Sequence, residues 1–140
     1  MRLALVLLGC AIAGCSRYEY RLPETGATLE GIVTYGGETV QMAQINVMSD
    51  KSQAIGQIEN GRYKVENVPL GEVKIGVNTE AMRSNMIGQQ MARAKGVSTA
   101  PPLKFISVPA KYAEPDTSGI TTTVKKGKNT FDIVLSSTGK

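Results

Sequence analysis

The chain has 140 residues, with 16 Lys and Arg against 12 Asp and Glu, a formal net charge of +4 and no histidine. The lack of histidine excludes Ser-His and Cys-His catalytic pairs and imidazole ligands for zinc. The mild positive charge does not indicate nucleic-acid binding, which usually shows dense groups of Lys and Arg.

The first fifteen residues have the order of an export signal. Arg2 precedes an apolar run over residues 3–14, and Cys15 follows two small residues. The run is too short for a membrane-spanning helix, which needs about 20 residues, and suits the hydrophobic part of a signal peptide. This order resembles a bacterial lipoprotein signal, which implies cleavage before Cys15 and acylation of its thiol. The alternatives are an ordinary secretory signal and a weaker lipidation site at Cys10.

Removal of residues 1–14 leaves enough chain for one domain. Cys10 would be lost with the signal and Cys15 would be acylated, so no disulfide is expected. Ser16 after the cysteine resembles an outer-membrane sorting signal, which predicts a lipoprotein in the cell envelope, at the outer membrane or facing the periplasm. Residues 15–27, with Pro23 and Gly26, are polar, and we interpret them as the lipidated N-terminus and a tether.

From residue 28 the sequence shows short runs of alternating apolar and polar residues. The seven candidate strands contain Leu29, Val33 and Tyr35; Ile45 and Val47; Ala54 to Ile58; Tyr63 and Val65; Val73, Ile75 and Val77; Thr121, Thr123 and Val124; and Phe131, Ile133 and Leu135. Turn signals separate them, among them Gly36-Gly37, Asn60-Gly61 and Pro69-Leu70-Gly71. This pattern predicts an all-β domain over residues 28–140, an antiparallel β-sandwich of seven strands.

Residues 78–105 break the alternation and are predicted to be a long insertion with a short helix or partial disorder. Asn78 or Thr79 could cap the helix, and Gly96 could end it. The apolar residues do not form one stripe at 3.6 residues per turn, because Met82 and Met86 lie opposite Ile87 and Met91. The methionines, Met82, Met86 and Met91, are either an adaptable contact surface or partial core filling.

Two segments carry a family resemblance. Residues 31–40 (GIVTYGGETV) and 61–71 (GRYKVENVPLG) resemble the carboxypeptidase regulatory-like domain, a transthyretin-like or prealbumin-like sandwich of the Greek-key, Ig-like kind. The later segments 108–112, 117–119 and 126–129 resemble short bacterial lipoproteins that carry this domain. The resemblance implies that Tyr63 points inward, that Pro69 and Gly71 reverse the chain, and that the domain is non-catalytic and often anchored.

The loop over residues 109–119 is the candidate binding site, because a rigid sandwich usually carries its binding residues on loops. Its candidate residues are Lys111, Tyr112, Thr117 and Ser118. Tyr112 could stack on a sugar ring or a partner, or simply pack over an open end of the sheet. Ser118 could act as a nucleophile with Lys111 or Lys104 as base, or be an ordinary turn residue.

Other charged residues are interpreted as loop and surface groups. Glu114 and Asp116 flank Pro115, and Asp116 could contribute weakly to Ca²⁺ binding, although no ligand ladder accompanies it. Lys125, Lys126 and Lys128 form a basic, solvated turn. We expect no metal and no cofactor.

The sequence as a whole predicts a lipid-anchored envelope protein that acts as a non-catalytic binding or structural module. Its expected partners are the membrane, through the N-terminal lipid, and an envelope protein or a glycan. One alternative is an accessory subunit that docks onto an envelope complex through a sheet edge. The other is a histidine-free hydrolase that uses Ser118.

Overall fold

The structure, a computed structural model, describes residues 24–137. The predicted signal peptide, Cys10, Cys15, Ser16 and most of the predicted tether lie outside these residues. The chain is mostly β and forms one curled sheet. Its strands are β1 Ala27–Tyr35, β2 Glu38–Thr39, β3 Met42–Met48, β4 Gln53–Glu59, β5 Arg62–Glu66, β6 Gly71–Asn78, β7 Ile120–Val124, β8 Gly127–Thr130 and β9 Ile133–Leu135.

The strand order is β2-β1-β5-β4-β3-β6-β7, and β8 and β9 also pair with β1. All pairs are antiparallel except β1 with β8 and β1 with β9, which are parallel. Five antiparallel steps lead from β1 to β7, so β7 runs opposite to β1. The turn at Lys125-Lys126 reverses the chain once more, and β8 therefore meets β1 in the same direction. The expectation that all strands pair antiparallel is therefore wrong for two pairs, β1 with β8 and β1 with β9.

The expected count of seven strands is also too low, since the described residues contain nine. β2 is a two-residue strand that closes the Gly36-Gly37 turn, with Tyr35 opposite Glu38. The last predicted strand is two strands in the structure. β8 begins before the apolar residues of the predicted strand, and Phe131 and Asp132 separate it from β9. The weakest predicted strand, over residues 54–58, lies inside β4.

The predicted turn at Asn60-Gly61 is confirmed. Both residues have positive φ, 52° and 79°, and Glu59 pairs with Arg62 across them. A two-residue turn with both φ values positive matches the right-handed twist of the strands it joins. This tight connection sets the register of β4 against β5.

The core lies on one face of the curled sheet and follows the predicted alternation. On β3 and β6, every second residue is at most 1 % exposed; these are Ala43, Ile45, Val47, Val73, Ile75 and Val77. Tyr63 is buried, as the resemblance implied. Val108 and Tyr112, which precede β7, complete this cluster.

The insertion forms a 3₁₀ turn, Glu80–Met82, and the helix α1, Arg83–Ala94. Thr79 is the residue at the N-terminal cap position and makes no side-chain capping hydrogen bond, whereas Asn78 Oδ1 accepts a hydrogen bond of 3.1 Å from the Ala81 N–H inside the turn. Gly96 follows it with a φ of 71°, as expected for a helix end. No helix among residues 24–137 is long and apolar enough to span a membrane.

The three methionines of this segment differ in burial. Met82 and Met86 are buried, whereas Met91 is 60 % exposed. The structure therefore confirms that the apolar side chains lie on two sides of the helix. α1 contacts the rest of the chain through the side that carries Met86, and its other side faces solvent.

Candidate functional site

The predicted binding loop, residues 109–119, folds into two short helical turns. They are a 3₁₀ turn, Ala110–Tyr112, and α2, Pro115–Ser118. α2 begins with proline and ends at Gly119, whose φ of 71° is left-handed, the usual arrangement for a short helix. The segment packs against β6 at Gly76, where a Cβ would lie 2.7 Å from the Ala113 carbonyl oxygen.

Ser118 is buried at 8 % exposure beneath this segment. Its hydroxyl donates to the Ile75 carbonyl oxygen at 2.5 Å and accepts from the Ile120 N–H at 3.1 Å. The hydroxyl thus joins the end of α2 to β6 and to the first residue of β7. Lys104, one of its two proposed bases, instead pairs with Glu38 at 2.5 Å.

Tyr112 is also buried, and its ring belongs to the core cluster. Its hydroxyl lies 3.3 Å from the Ser136 carbonyl oxygen. Lys111 and Thr117 are exposed, with the Lys111 ammonium 4.7 Å from the centre of the Tyr112 ring. The structure therefore presents two of the four predicted residues to solvent and places the other two under the loop.

A wide concavity lies elsewhere among the described residues, on the outer face of β1, β4 and β5. It is an open groove of about 760 Å³, which we name the β1–β5 groove. Its lining residues are Glu30, Gly31, Ile32, Gln57, Glu59, Arg62, Tyr63, Lys64, Thr130 and Asp132.

One end of the β1–β5 groove is built where the connection between β8 and β9 crosses β1. A Cβ on Gly31 would lie 2.1 Å from the Phe131 carbonyl oxygen, so no larger residue fits without moving the backbone. Asp132 then turns its carboxylate toward β1, and its Oδ1 accepts from the Ile32 N–H at 2.9 Å. This crossing interrupts the last strand at Phe131 and Asp132.

Tyr63 reaches the same crossing from β5. Its hydroxyl donates to the Phe131 carbonyl oxygen at 2.5 Å. The pKa of Tyr63 is raised above its usual value, first because burial disfavours the phenolate and second because the Asp132 carboxylate repels it. Tyr63 therefore acts as a neutral hydrogen-bond donor that fixes this end of the groove.

The remaining lining is polar and of mixed charge. Glu30 pairs with Lys128 at 2.6 Å, and Lys64 pairs with Glu66 at 2.8 Å, a contact that lowers the pKa of Glu66. Gln57, Glu59 and Arg62 are exposed and point into the open part of the groove. These three side chains present an amide, a carboxylate and a guanidinium to a ligand.

Sequence reasoning did not identify the groove, because its residues come from three separated stretches of the chain. Two signals were present. Gly31 lies inside a strand pattern, where glycine often marks the close approach of another backbone. Asp132 interrupts the apolar alternation of the final strand.

No group of three or more His, Cys, Asp or Glu side chains suitable for a metal ion occurs between residues 24 and 137. Asp116, considered for Ca²⁺, instead forms an ion pair with Lys74 at 2.7 Å.

No protein-family model matches this chain, and no curated protein matches its sequence.

Proposed function

We propose that this protein is a lipid-anchored module of the cell envelope that binds a glycan, without catalysis, in the β1–β5 groove. The observation that carries the proposal is the groove itself, an open concavity of about 760 Å³ lined by side chains of both charges. Glycans present many hydroxyl groups that both donate and accept hydrogen bonds. Gln57, Glu59 and Arg62 offer the matching acceptors and donors.

The rigidity of the groove supports a binding role. Its floor belongs to paired strands, and its end is fixed by the Tyr63–Phe131 hydrogen bond and by the Asp132–Ile32 hydrogen bond. A preorganised surface loses little entropy when it binds a ligand, so modest polar contacts suffice for weak, specific recognition.

The proposed anchor is the acylated Cys15, and the support for it is the order of residues in the first fifteen positions. Substitution of Cys15 by Ser tests it. We expect the variant to leave the membrane fraction or to remain uncleaved. An unchanged mass and an unchanged membrane fraction would contradict the anchor.

The proposed fold family is the carboxypeptidase regulatory-like domain, in the form of a two-layered Greek-key sandwich. Three observations support it: the buried Tyr63, the two-residue turn at Asn60-Gly61, and the left-handed Gly71 after Pro69. The change of partners along β1 also supports two layers, since its first half pairs with β5 and β8 and its second half with β2 and β9.

The hydrolase alternative has weaker support. A nucleophilic serine must reach its substrate and be activated by a base, whereas the Ser118 hydroxyl is buried and donates to a backbone carbonyl oxygen. We expect substitution of Ser118 by Ala to lower stability and to leave glycan binding unchanged once the protein is folded.

The accessory-subunit alternative has one observation in its favour. β7 pairs only with β6 among the described strands, and its five residues, ITTTV, include no charge and no proline. Charges and prolines usually protect exposed sheet edges, so this strand is available for pairing with a partner. A protein that co-purifies at fixed ratio after mild detergent extraction would favour this function.

A matched pair of variants on β4 tests the glycan site. Gln57 lines the groove and Gln53 does not, yet both are exposed glutamines on the same strand. We expect Gln57→Ala to weaken binding to envelope polysaccharide about fivefold, which corresponds to the loss of one hydrogen bond, and Gln53→Ala to leave it unchanged. Equal binding by the two variants, or no binding by the native protein, would overturn the proposal.

A further inference from the structure

The outward face of α1 carries a compact apolar surface. Ile87 is 45 % exposed and Met91 is 60 % exposed, and Ala94 is exposed beside them. At 3.6 residues per turn, these three side chains fall within about 60° of one another around the helix. Val97, 79 % exposed, follows just beyond the helix end. We name these four residues the α1 apolar face.

The segment that carries this face is rich in positive charge. Residues 81–113 contain five cations and no Asp or Glu; the cations are Arg83, Arg93, Lys95, Lys104 and Lys111. Arg83 and Lys104 are engaged by Glu80 and Glu38. Arg93 and Lys95, at the end of α1, form no ion pair with any residue that the structure describes, and both are exposed.

We propose that the α1 apolar face, with Arg93 and Lys95, binds the surface of an anionic phospholipid membrane. An interfacial helix places its apolar residues at the boundary of the acyl chains, while Lys and Arg meet the lipid phosphates. The charge of the helix complements that surface.

This inference rests in part on the proposed lipid anchor, because the anchor would hold the domain near the bilayer. The two attachments lie at opposite ends of β6. Thr25 donates to the Val68 carbonyl oxygen at 2.7 Å, near the start of β6, and α1 follows the far end. Eight strand residues span about 26 Å, and the ten residues from Cys15 to Thr25 reach about 33 Å at full extension. The domain can therefore lie along the membrane with both ends attached.

The chain contains no tryptophan, so one introduced tryptophan reports on its own position. We would prepare the lipidated full-length protein as Met91→Trp and, as a matched control, Ile55→Trp, since Ile55 is 54 % exposed on β4. Each would be reconstituted into vesicles of phosphatidylglycerol and phosphatidylcholine, with brominated acyl chains as quencher. We expect a blue-shifted emission and at least twofold stronger quenching for Met91→Trp than for Ile55→Trp.

Charge is tested separately in the Met91→Trp background. Lys95→Gln should weaken the lipid contact about fivefold, the effect of one cation near an anionic surface. The control is Lys51→Gln, in the β3–β4 turn, which should leave the lipid contact of Met91→Trp unchanged. Vesicles of phosphatidylcholine alone should give little quenching.

Equal quenching of Met91→Trp and Ile55→Trp on vesicles that carry the protein would overturn the inference and leave the anchor intact. Failure of the protein to float with either kind of vesicle would overturn both. If added envelope protein shifted the emission of Met91→Trp and lipid did not, the membrane proposal would be wrong and the face would bind a protein partner.

Discussion

At Gly31 a Cβ would lie 2.1 Å from the Phe131 carbonyl oxygen, whereas a Cβ at Gly88, in the middle of α1, would meet no atom within 4 Å beyond its chain neighbours and the backbone of its own helix. The first region is a crossing of backbones that hydrogen bonds from Tyr63 and Asp132 hold together. The second is a helix with one buried residue, Met86. Close packing is thus found in the sheet, whereas most side chains of the inserted helix α1 have room around them.

The largest loss of stability is expected from a substitution of Gly31. Gly31→Ala forces the new methyl group against the Phe131 carbonyl, which cannot rotate away as a flexible side chain would. We expect a loss of about 3 kcal/mol in the free energy of unfolding, measured by urea denaturation. A loss below 1 kcal/mol would mean that the crossing yields easily.

The second prediction concerns Asn129 on β8, which ties the β7–β8 turn to β1. Its amide donates to the carbonyl oxygens of Lys125, Gly127 and Thr28, and its oxygen accepts from the Lys125 N–H at 2.9 Å. We expect Asn129→Ala to cost about 2 kcal/mol. Asn85→Ala on α1 is the matched control and should change stability by less than about 0.5 kcal/mol.

The third prediction concerns the hydroxyl group of Tyr63. Tyr63→Phe leaves the ring in the core and deletes the hydrogen bond to Phe131, so we expect a loss of about 1 kcal/mol near neutral pH. A cost equal to that of Gly31→Ala would instead indicate that this one hydrogen bond holds the crossing.

Tyr63→Phe also has a pH signature. Because burial and Asp132 raise the pKa of Tyr63 above its ordinary value of 10.0, the folded protein keeps a proton that the unfolded chain releases. This contribution to stability is complete below pH 10 and is lost as the pH rises further, by at most about 1.4 kcal/mol per pH unit. The native protein should therefore lose more stability than Tyr63→Phe between pH 9 and 11. Parallel denaturation curves for the two proteins over that range would contradict the assignment.

The smallest effect is expected at Gly88 and has the opposite sign. An alanine there meets open space and loses less entropy on helix formation, so Gly88→Ala should stabilise the protein by about 0.5–1 kcal/mol. Thermal denaturation would measure it. A destabilisation would show that α1 packs more tightly than its exposed face indicates.

The sheet was largely predictable, because alternation and turn chemistry are local. Ile45 and Val47 on β3, and Val73, Ile75 and Val77 on β6, all face the core as their spacing indicated. The Asn60-Gly61 turn needed two residues with positive φ, and the sequence supplies them.

The crossing at Gly31 was not predictable in the same way. Its partner, Phe131, lies far along the chain, and a period of two cannot show which strand a strand will join. The parallel pairing of β8 with β1 depends on the order in which the strands pair across the sheet, β1-β5-β4-β3-β6-β7, which the alternation of side chains does not show.

The candidate site showed the same limit. Lys111 and Thr117 are exposed as expected, but Tyr112 and Ser118 are buried because the loop folds back over β6. Polarity and loop position do not reveal such packing. The groove residues Gln57, Glu59 and Arg62 look like ordinary outward strand residues until the crossing at Asp132 closes one end of their surface.

The hydrogen bond between Ile32 and Asp132 joins residues 100 positions apart. During synthesis from the N-terminus, β1 cannot gain its two parallel neighbours until residues 127–135 have been made. Until then the first strand keeps an open side, on which a chaperone could act or a second chain could aggregate. Pairing of β8 and β9 with β1 is therefore a late step in the folding of this domain.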